Sequence, residues 1–193
     1  LERVVTSIEK DGEPVWFRGQ GNYSWPLLPA LLRTKKVPNE LSLLRRFQQL
    51  SFALPPSPPT KEWQWLFLMQ HYSIPTRLLD WSESAPVGLY FAVCEPDGNA
   101  LNKDGALCCL YPSRLNSLSS LDYMPAFDVD TNLLNPYLPT LAESPPATRK
   151  PLAILAQRTF PRMVAQSSVF TIFDRTKQTL ESLAGTPPSK AIA

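Results

Sequence analysis

The chain has 193 residues, of which 44% are hydrophobic and 10% aromatic, including five tryptophans. This composition excludes a wholly disordered chain, and a domain of this length buries enough surface to need no disulfide or metal. A net charge of +2 is too small for a dedicated nucleic-acid binder. No apolar run approaches the roughly 18 residues that a membrane span needs, so we expect no membrane segment.

The cysteines and the histidine limit the chemistry further. Cys94, Cys108 and Cys109 show no C-x-x-C spacing, and His71 is the one histidine, so we expect no metal site. An odd set of unspaced cysteines favours a reducing compartment, which leads us to expect a cytoplasmic protein. The sequence begins with Leu1 rather than Met, so we also expect flanking domains of a longer chain.

Strand and helix signals follow one another through the first half of the chain. Residues 14–18 favour a strand, which the glycine-rich residues 19–21 end. Residues 39–54 predict an amphipathic helix with Asn39 as its N-cap. The apolar face of this helix is expected to contain Leu41, Leu44, Phe47, Leu50 and Leu54. After a proline cluster, residues 61–72 predict a second helix.

The middle of the chain continues this mixture of short elements. Residues 76–81 are expected to be extended after Pro75. Residues 84–95 predict a helix, because Pro86 lies in its first turn, where proline is tolerated. Residues 106–111 predict an apolar strand.

The second half of the chain is harder to interpret. Residues 112–150 are rich in proline, and we expect either an ordered insertion with one short helix or a lid over one face. Residues 168–173 predict a strand and residues 176–184 a short helix, and the tail 185–193 is expected to fray. Together these elements predict a compact single α+β domain over residues 1–184, with a small split β-sheet flanked by helices.

Three segments carry most of the chemistry-bearing residues. They are Trp16-Phe-Arg-Gly-Gln20, Gln70-His-Tyr-Ser-Ile-Pro-Thr-Arg-Leu-Leu-Asp-Trp81 and Arg162-Met-Val-Ala-Gln-Ser-Ser-Val-Phe-Thr171. Together they resemble the FRG domain family, which is named for a Phe-Arg-Gly motif, and the middle segment is similar to the family's Q-H-Y-G-x-P-T-R-L-L-D-W motif. The chain departs from the family pattern in having Ser73 and Ser168 in place of Gly, and Gly88 in place of Ala.

The resemblance implies a layout similar to that of ADP-ribosyltransferases, with NAD as the substrate. By that resemblance Arg18 occupies the early strand position, Thr76 the second position and Gln166 the third, where those enzymes usually have Glu. The resemblance therefore implies an enzyme that cleaves the nicotinamide–ribose bond and transfers ADP-ribose to a protein or nucleic-acid acceptor or to water. The glutamine leaves open an alternative, a catalytically silent nucleotide- or ligand-sensing module of a larger protein. A nuclease or other hydrolase is poorly supported, because the sequence has no acidic metal cluster.

The residue types suit particular parts of NAD. A guanidinium at Arg18 is suited to a pyrophosphate, and Gly19 lets the backbone approach it closely. Thr76 is a candidate to bond a ribose hydroxyl, and Trp81 a candidate to stack on a base. The alternatives are structural: Arg18 paired with a buried carboxylate, and Trp81 as core.

The remaining candidates concern the reacting end of NAD. Gln166 is expected to bond the nicotinamide ribose, but an amide cannot supply the charge that stabilises an oxocarbenium-like state. Asp80 is the carboxylate best placed to supply it, although we also expect Arg77 and Asp80 to form a buried pair. Arg77 is otherwise a candidate ligand contact. Candidates for the nicotinamide pocket are His71 and Tyr90, and the alternative for His71 is to order the Pro75 turn.

Overall fold

A computed structural model describes residues 12–36, 38–51, 58–94, 103–127, 129–140, 149–158 and 160–183. Its centre is a five-stranded antiparallel sheet with the strand order β3-β1-β2-β5-β4. The strands are β1 (Trp16–Gln20), β2 (Leu78–Ser82), β3 (Ala106–Leu110), β4 (Leu152–Ile154) and β5 (Ser168–Ile172).

Short helices connect and flank the strands, so the predicted α+β fold is confirmed. The helices are α1 (Ala30–Arg33), α2 (Glu40–Ser51), α3 (Glu62–His71), α4 (Ala85–Val93), α5 (Pro112–Ser117), α6 (Thr131–Leu134), α7 (Pro161–Ala165) and α8 (Leu180–Leu183). A 3-10 turn, Asn135–Tyr137, follows α6. The likeness to the ADP-ribosyltransferase layout stays a prediction.

The sheet is nearly divided between β1 and β2. Strand β1 pairs with β3 along its whole length, and β2 pairs in the same way with β5. Between β1 and β2, both fully described, the one aligned pair is Phe17 with Ser82. The sheet therefore consists of two ladders joined at one aligned pair.

Alternation along β2 separates the core into two layers. Leu78 packs against α3 in the larger hydrophobic cluster, whereas Leu79 and Trp81 pack on the opposite face. Helix α3 is buried almost all around, which explains why its sequence shows no polar stripe. Because Asp80 alternates with Leu79 and Trp81, it lies on the face of the sheet that α3 covers.

Most predicted elements begin within a few residues of their predicted positions. The amide of Ser42 donates to Asn39 Oδ1 at 2.9 Å, which confirms the N-cap of α2. Leu50 was expected on the apolar face of that helix, but it is 65% exposed, and Leu54 lies outside the described residues. The last predicted helix is shorter than expected, since α8 begins only at Leu180.

The proline-rich segment contributes to the core. Phe127, Leu134, Tyr137 and Leu138 all belong to the larger hydrophobic cluster, so its described residues are anchored by side chains buried under the sheet. None of those described residues lines the cavity presented below. The rest of the segment, from 141 to 148, and the predicted tail lie outside the described residues.

Candidate functional site

A cavity of about 360 Å³ opens beside the junction of β1 and β2. Its volume lies within the range of small-molecule sites, about 300–1,000 Å³. Both strands line it, together with one side of α3, the start of α4 and the turn after α7. The polar lining includes Arg18, Gln70, His71, Asp80, Arg162 and Gln166.

Arg18 enters the cavity from β1. Its Nη1 donates to the backbone oxygen of Asp80 at 2.8 Å, across the gap where β1 and β2 are not paired. Its Nε is buried and has no hydrogen-bond partner among the described residues. Burial lowers the pKa of the guanidinium, and the charge of Asp80 opposes that effect. Arg18 therefore has a buried donor that no acceptor in the described part of the chain satisfies.

Asp80 lies opposite, on β2. The residue is exposed by surface area and yet closely surrounded by protein, because its free surface faces the cavity. Burial raises the pKa of this carboxyl, whereas the charge of Arg18 and a hydrogen bond from Gln70 act in the opposite direction. The cavity thus holds the Asp80 carboxylate and the Arg18 guanidinium together.

Gln70 connects Asp80 to Thr76. Gln70 Nε2 donates to Asp80 Oδ2 at 2.5 Å, and the Thr76 hydroxyl donates to Gln70 Oε1 at 2.5 Å. Thr76 is buried and does not line the cavity, so the prediction that it contacts a ribose is corrected: its hydroxyl is already committed to Gln70. Sequence reasoning assigned no role to Gln70, although it opens the middle motif.

Arg77 is a structural residue in this fold. Its Nε donates to both carboxylate oxygens of Glu40, at 2.9 and 2.7 Å, and its two terminal nitrogens donate to the backbone oxygens of Phe173 and Tyr137. The predicted pair of Arg77 with Asp80 is therefore wrong. Arg77 also does not line the cavity, so it is not placed to contact a ligand there.

Of the three ring-bearing residues predicted to contact a ligand, two line the cavity and one does not. His71 lines the cavity and stacks on Phe160, with ring centroids 4.5 Å apart. Trp81 also lines it, but the side chain is largely core and its Nε1 donates to Thr171 Oγ1 at 3.1 Å. Tyr90 is 59% exposed and does not line the cavity. Its neighbour Phe91 does, because successive helical residues point about 100° apart.

Gln166 lies at the cavity where α7 ends. Its Oε1 accepts from Arg162 Nε at 3.4 Å, and its backbone oxygen accepts from the Ser82 hydroxyl at 2.7 Å. The second bond ties the turn after α7 to β2. The left-handed residue in this turn is Ser167, with φ of 45°, whereas Ser168 is regular strand. The serine that replaces a family glycine here is therefore unstrained.

Gly19 is required by the close approach of α4. A Cβ on Gly19 would overlap the backbone oxygen of Gly88 and the backbone nitrogen of Ala92. A Cβ on Gly88 would in turn lie 2.9 Å from Phe17 Cβ. The two glycines allow helix and strand to meet backbone to backbone, and Gly19 also lines the cavity.

Two further features limit what the site can hold. Among the described residues, no group of three or more His, Cys, Asp or Glu side chains is arranged to hold a metal ion. Across the same ranges, no helix has both the length and the apolar character to cross a membrane. The polar side chains that line the cavity include guanidinium, carboxylate, imidazole, amide and hydroxyl groups.

The described residues form an α+β domain with a divided antiparallel sheet. The polar cavity at the junction of the sheet has the volume of a small-molecule site. Residues 13–100 match the model of the FRG domain family, so the resemblance is confirmed over that part of the chain. The match includes the first two motifs and α4, whereas the third motif lies outside it. No curated protein and no solved structure matches the chain.

Proposed function

We propose that the domain is of the ADP-ribosyltransferase type: that it binds NAD in the cavity and cleaves the nicotinamide–ribose bond. The observation that carries the proposal is the Asp80 carboxylate in the same cavity as the unpartnered Nε of Arg18. One group suits the pyrophosphate and the other suits the positive charge that develops when the glycosidic bond breaks.

Arg18 is the proposed phosphate contact. The Nε of this guanidinium is buried and has lost hydration that no described residue replaces. A dianionic pyrophosphate accepts charge-assisted hydrogen bonds and offsets that loss. Arg162, which also lines the cavity, adds a second positive charge.

Asp80 is the proposed source of negative charge. When the bond between ribose C1′ and the nicotinamide nitrogen breaks, its electron pair goes to the nicotinamide ring, which becomes neutral, and C1′ becomes oxocarbenium-like. A nearby carboxylate stabilises that state, and the acceptor then bonds to C1′ and loses a proton. Gln166 is proposed to orient the ribose, because its amide has no charge to contribute.

The alternative is a nucleotide- or ligand-sensing module without catalysis. It is favoured by Gln166, an amide at the position that the resemblance assigns to a catalytic Glu. The carboxylate of Asp80 in the cavity favours the enzyme instead. We further propose that the reaction is cytoplasmic, since Cys94, Cys108 and Cys109 are all free thiols, and that the acceptor is a protein, a nucleic acid or water.

Nicotinamide release from NAD by the purified domain tests the proposal. We expect release by the wild type and a large loss in Asp80→Asn, which keeps the shape and removes the charge. Asp122→Asn is the matched control, because Asp122 is exposed and lies outside the cavity. Binding of NAD without release would support the sensing module, and absence of binding would overturn the assignment of NAD.

A further inference from the structure

We propose that Gln70 is a positioning residue for Asp80, and that Thr76 determines which way the Gln70 amide points. The inference deepens the proposed function, on which the catalytic role of Asp80 rests. The hydrogen bonds among Thr76, Gln70 and Asp80 do not depend on that proposal, because they are observed between described residues.

When Asp80 is ionised, the chain of hydrogen bonds has one consistent arrangement of protons. The backbone N–H of Leu78 donates to Thr76 Oγ1 at 3.1 Å, so the single hydroxyl proton of Thr76 is free to point at Gln70. Gln70 therefore presents its oxygen to Thr76 and its NH₂ group to Asp80 Oδ2. A flipped amide would place its oxygen against the carboxylate, and two acceptors would then face each other.

The arrangement joins two elements across a tight turn. Gln70 lies in the last turn of α3, and Thr76, Leu78 and Asp80 lie at or before β2. The backbone between them passes through Ser73, whose φ is 58°, so the turn has the left-handed geometry that lets the chain reverse. A strand residue is thus oriented by a helix residue that is only ten positions away in sequence.

The charged groups around Asp80 come from other elements. Arg18 on β1, Arg33 at the end of α1 and Arg162 on α7 each interact electrostatically with Asp80. Their charges stabilise the carboxylate without fixing its orientation, whereas Gln70 reaches it through a directed hydrogen bond. A hydrogen bond to the charged form of an acid lowers its pKa, so Gln70 both orients Asp80 and favours its ionised state.

Carbon-13 NMR titration of the Asp80 carboxyl tests the inference without reference to NAD. We expect Gln70→Met to raise the pKa of Asp80, with about a tenfold change in the acid constant, since it removes a hydrogen bond to a charged group. Thr76→Val should raise the pKa of Asp80 by a smaller amount. Thr76→Ser keeps the hydroxyl and should leave the pKa of Asp80 at its wild-type value. Gln48→Met on α2 is the matched control, because Gln48 does not line the cavity.

A wild-type measurement covers the case in which Gln70→Met does not fold. The side-chain NH₂ signals of Gln70 should shift with the titration of Asp80, because the two groups are bonded directly. Signals that do not follow Asp80, or a folded Gln70→Met protein with an unchanged Asp80 pKa, would overturn the inference.

The outcome also separates this inference from the proposed function. If Asp80 titrates as described but no nicotinamide is released, the positioning role stands and the proposed activity fails. If the domain is active, the acidic limb of its pH–rate profile should move to higher pH in Gln70→Met and keep its wild-type position in Thr76→Ser. An acidic limb that stays in place in Gln70→Met would contradict the positioning role.

Discussion

The Arg77 guanidinium and the Glu40 carboxylate form a buried ion pair, with an Nε–Oε2 distance of 2.7 Å and exposed side-chain fractions of 2% and 5%. The pair joins the first residue of α2 to the residue before β2. Burial raises the pKa of Glu40, and Arg77 is the largest influence that opposes it. The two charges are thus acceptable in the core only together.

The first prediction concerns this pair. Glu40→Gln should lower the free energy of unfolding by about 3–5 kcal/mol, because it leaves the Arg77 charge buried without a counterion. Urea denaturation of Glu40→Gln, Arg77→Met and the double variant measures the coupling. We expect the double variant to recover part of the loss. As a control, Arg77→Met and Asp80→Asn should combine additively, and strong coupling between them would contradict the structure.

The second prediction concerns Arg18. Arg18→Ala should weaken NAD affinity at least about tenfold, since charge-assisted hydrogen bonds contribute about 1.5–3 kcal/mol. The melting temperature should fall only modestly, because the side chain loses its Nη1 hydrogen bond to the Asp80 backbone oxygen, whereas its Nε has no partner to lose among the described residues. Calorimetric titration and a thermal melt measure both. Arg45→Ala on the exposed side of α2 is the control, and equal affinity in the two variants would argue for a structural Arg18.

The third prediction is a pH dependence of stability caused by Asp80. Burial raises its pKa above the ordinary value of 3.8, so the folded state favours the protonated form. The stability from this group is fully present below pH 3.8 and is lost as the pH rises through the folded pKa. Asparagine does not titrate, so Asp80→Asn should unfold at a higher temperature than the wild type at pH 7.

Melting curves at several pH values test this sign. The difference between Asp80→Asn and the wild type should shrink as the pH falls toward 3.8. A wild type that is more stable than Asp80→Asn at pH 7 would show that Arg18 and Gln70 outweigh the cost of burial. A gain in stability with loss of activity is the usual pattern when a charge is removed from a catalytic site.

The fourth prediction concerns Gln166. If Asp80 supplies the charge and Gln166 orients the ribose, then Gln166→Glu adds a second carboxylate and should raise NAD cleavage about tenfold for each 1.36 kcal/mol of added stabilisation. Gln166→Ala should lower it. Nicotinamide release measures both. A rate that ignores both substitutions while NAD still binds would remove Gln166 from the site.

Part of the candidate site could be located from the sequence. Arg18, His71, Asp80 and Gln166 belong to the three segments that carry the family resemblance, and all four line the cavity. Strand and helix positions followed from periodicity and capping, as at Asn39. These signals are local, and a sequence displays them directly.

What sequence reasoning missed depends on long-range packing. The partner of Arg77 is 37 residues away, and Asp80 looked suitable only because it is near in sequence. Helical phase decided that Phe91 rather than Tyr90 faces the cavity, and that phase is set by how α4 meets β1. Thr76 was expected to contact the ligand, but Gln70 lines the cavity and Thr76 does not. Only the folded turn shows which of the two faces the cavity.

The contact between Gly19 and Gly88 affects how quickly a ligand can enter. Where the two backbones meet directly, no side chain lies between them that could rotate and let β1 and α4 move apart. The backbone of this wall is therefore preorganised, and a ligand spends no binding free energy on ordering it. Association in a stopped-flow experiment should accordingly be a single exponential whose rate rises linearly with ligand concentration, without a plateau from a preceding conformational step.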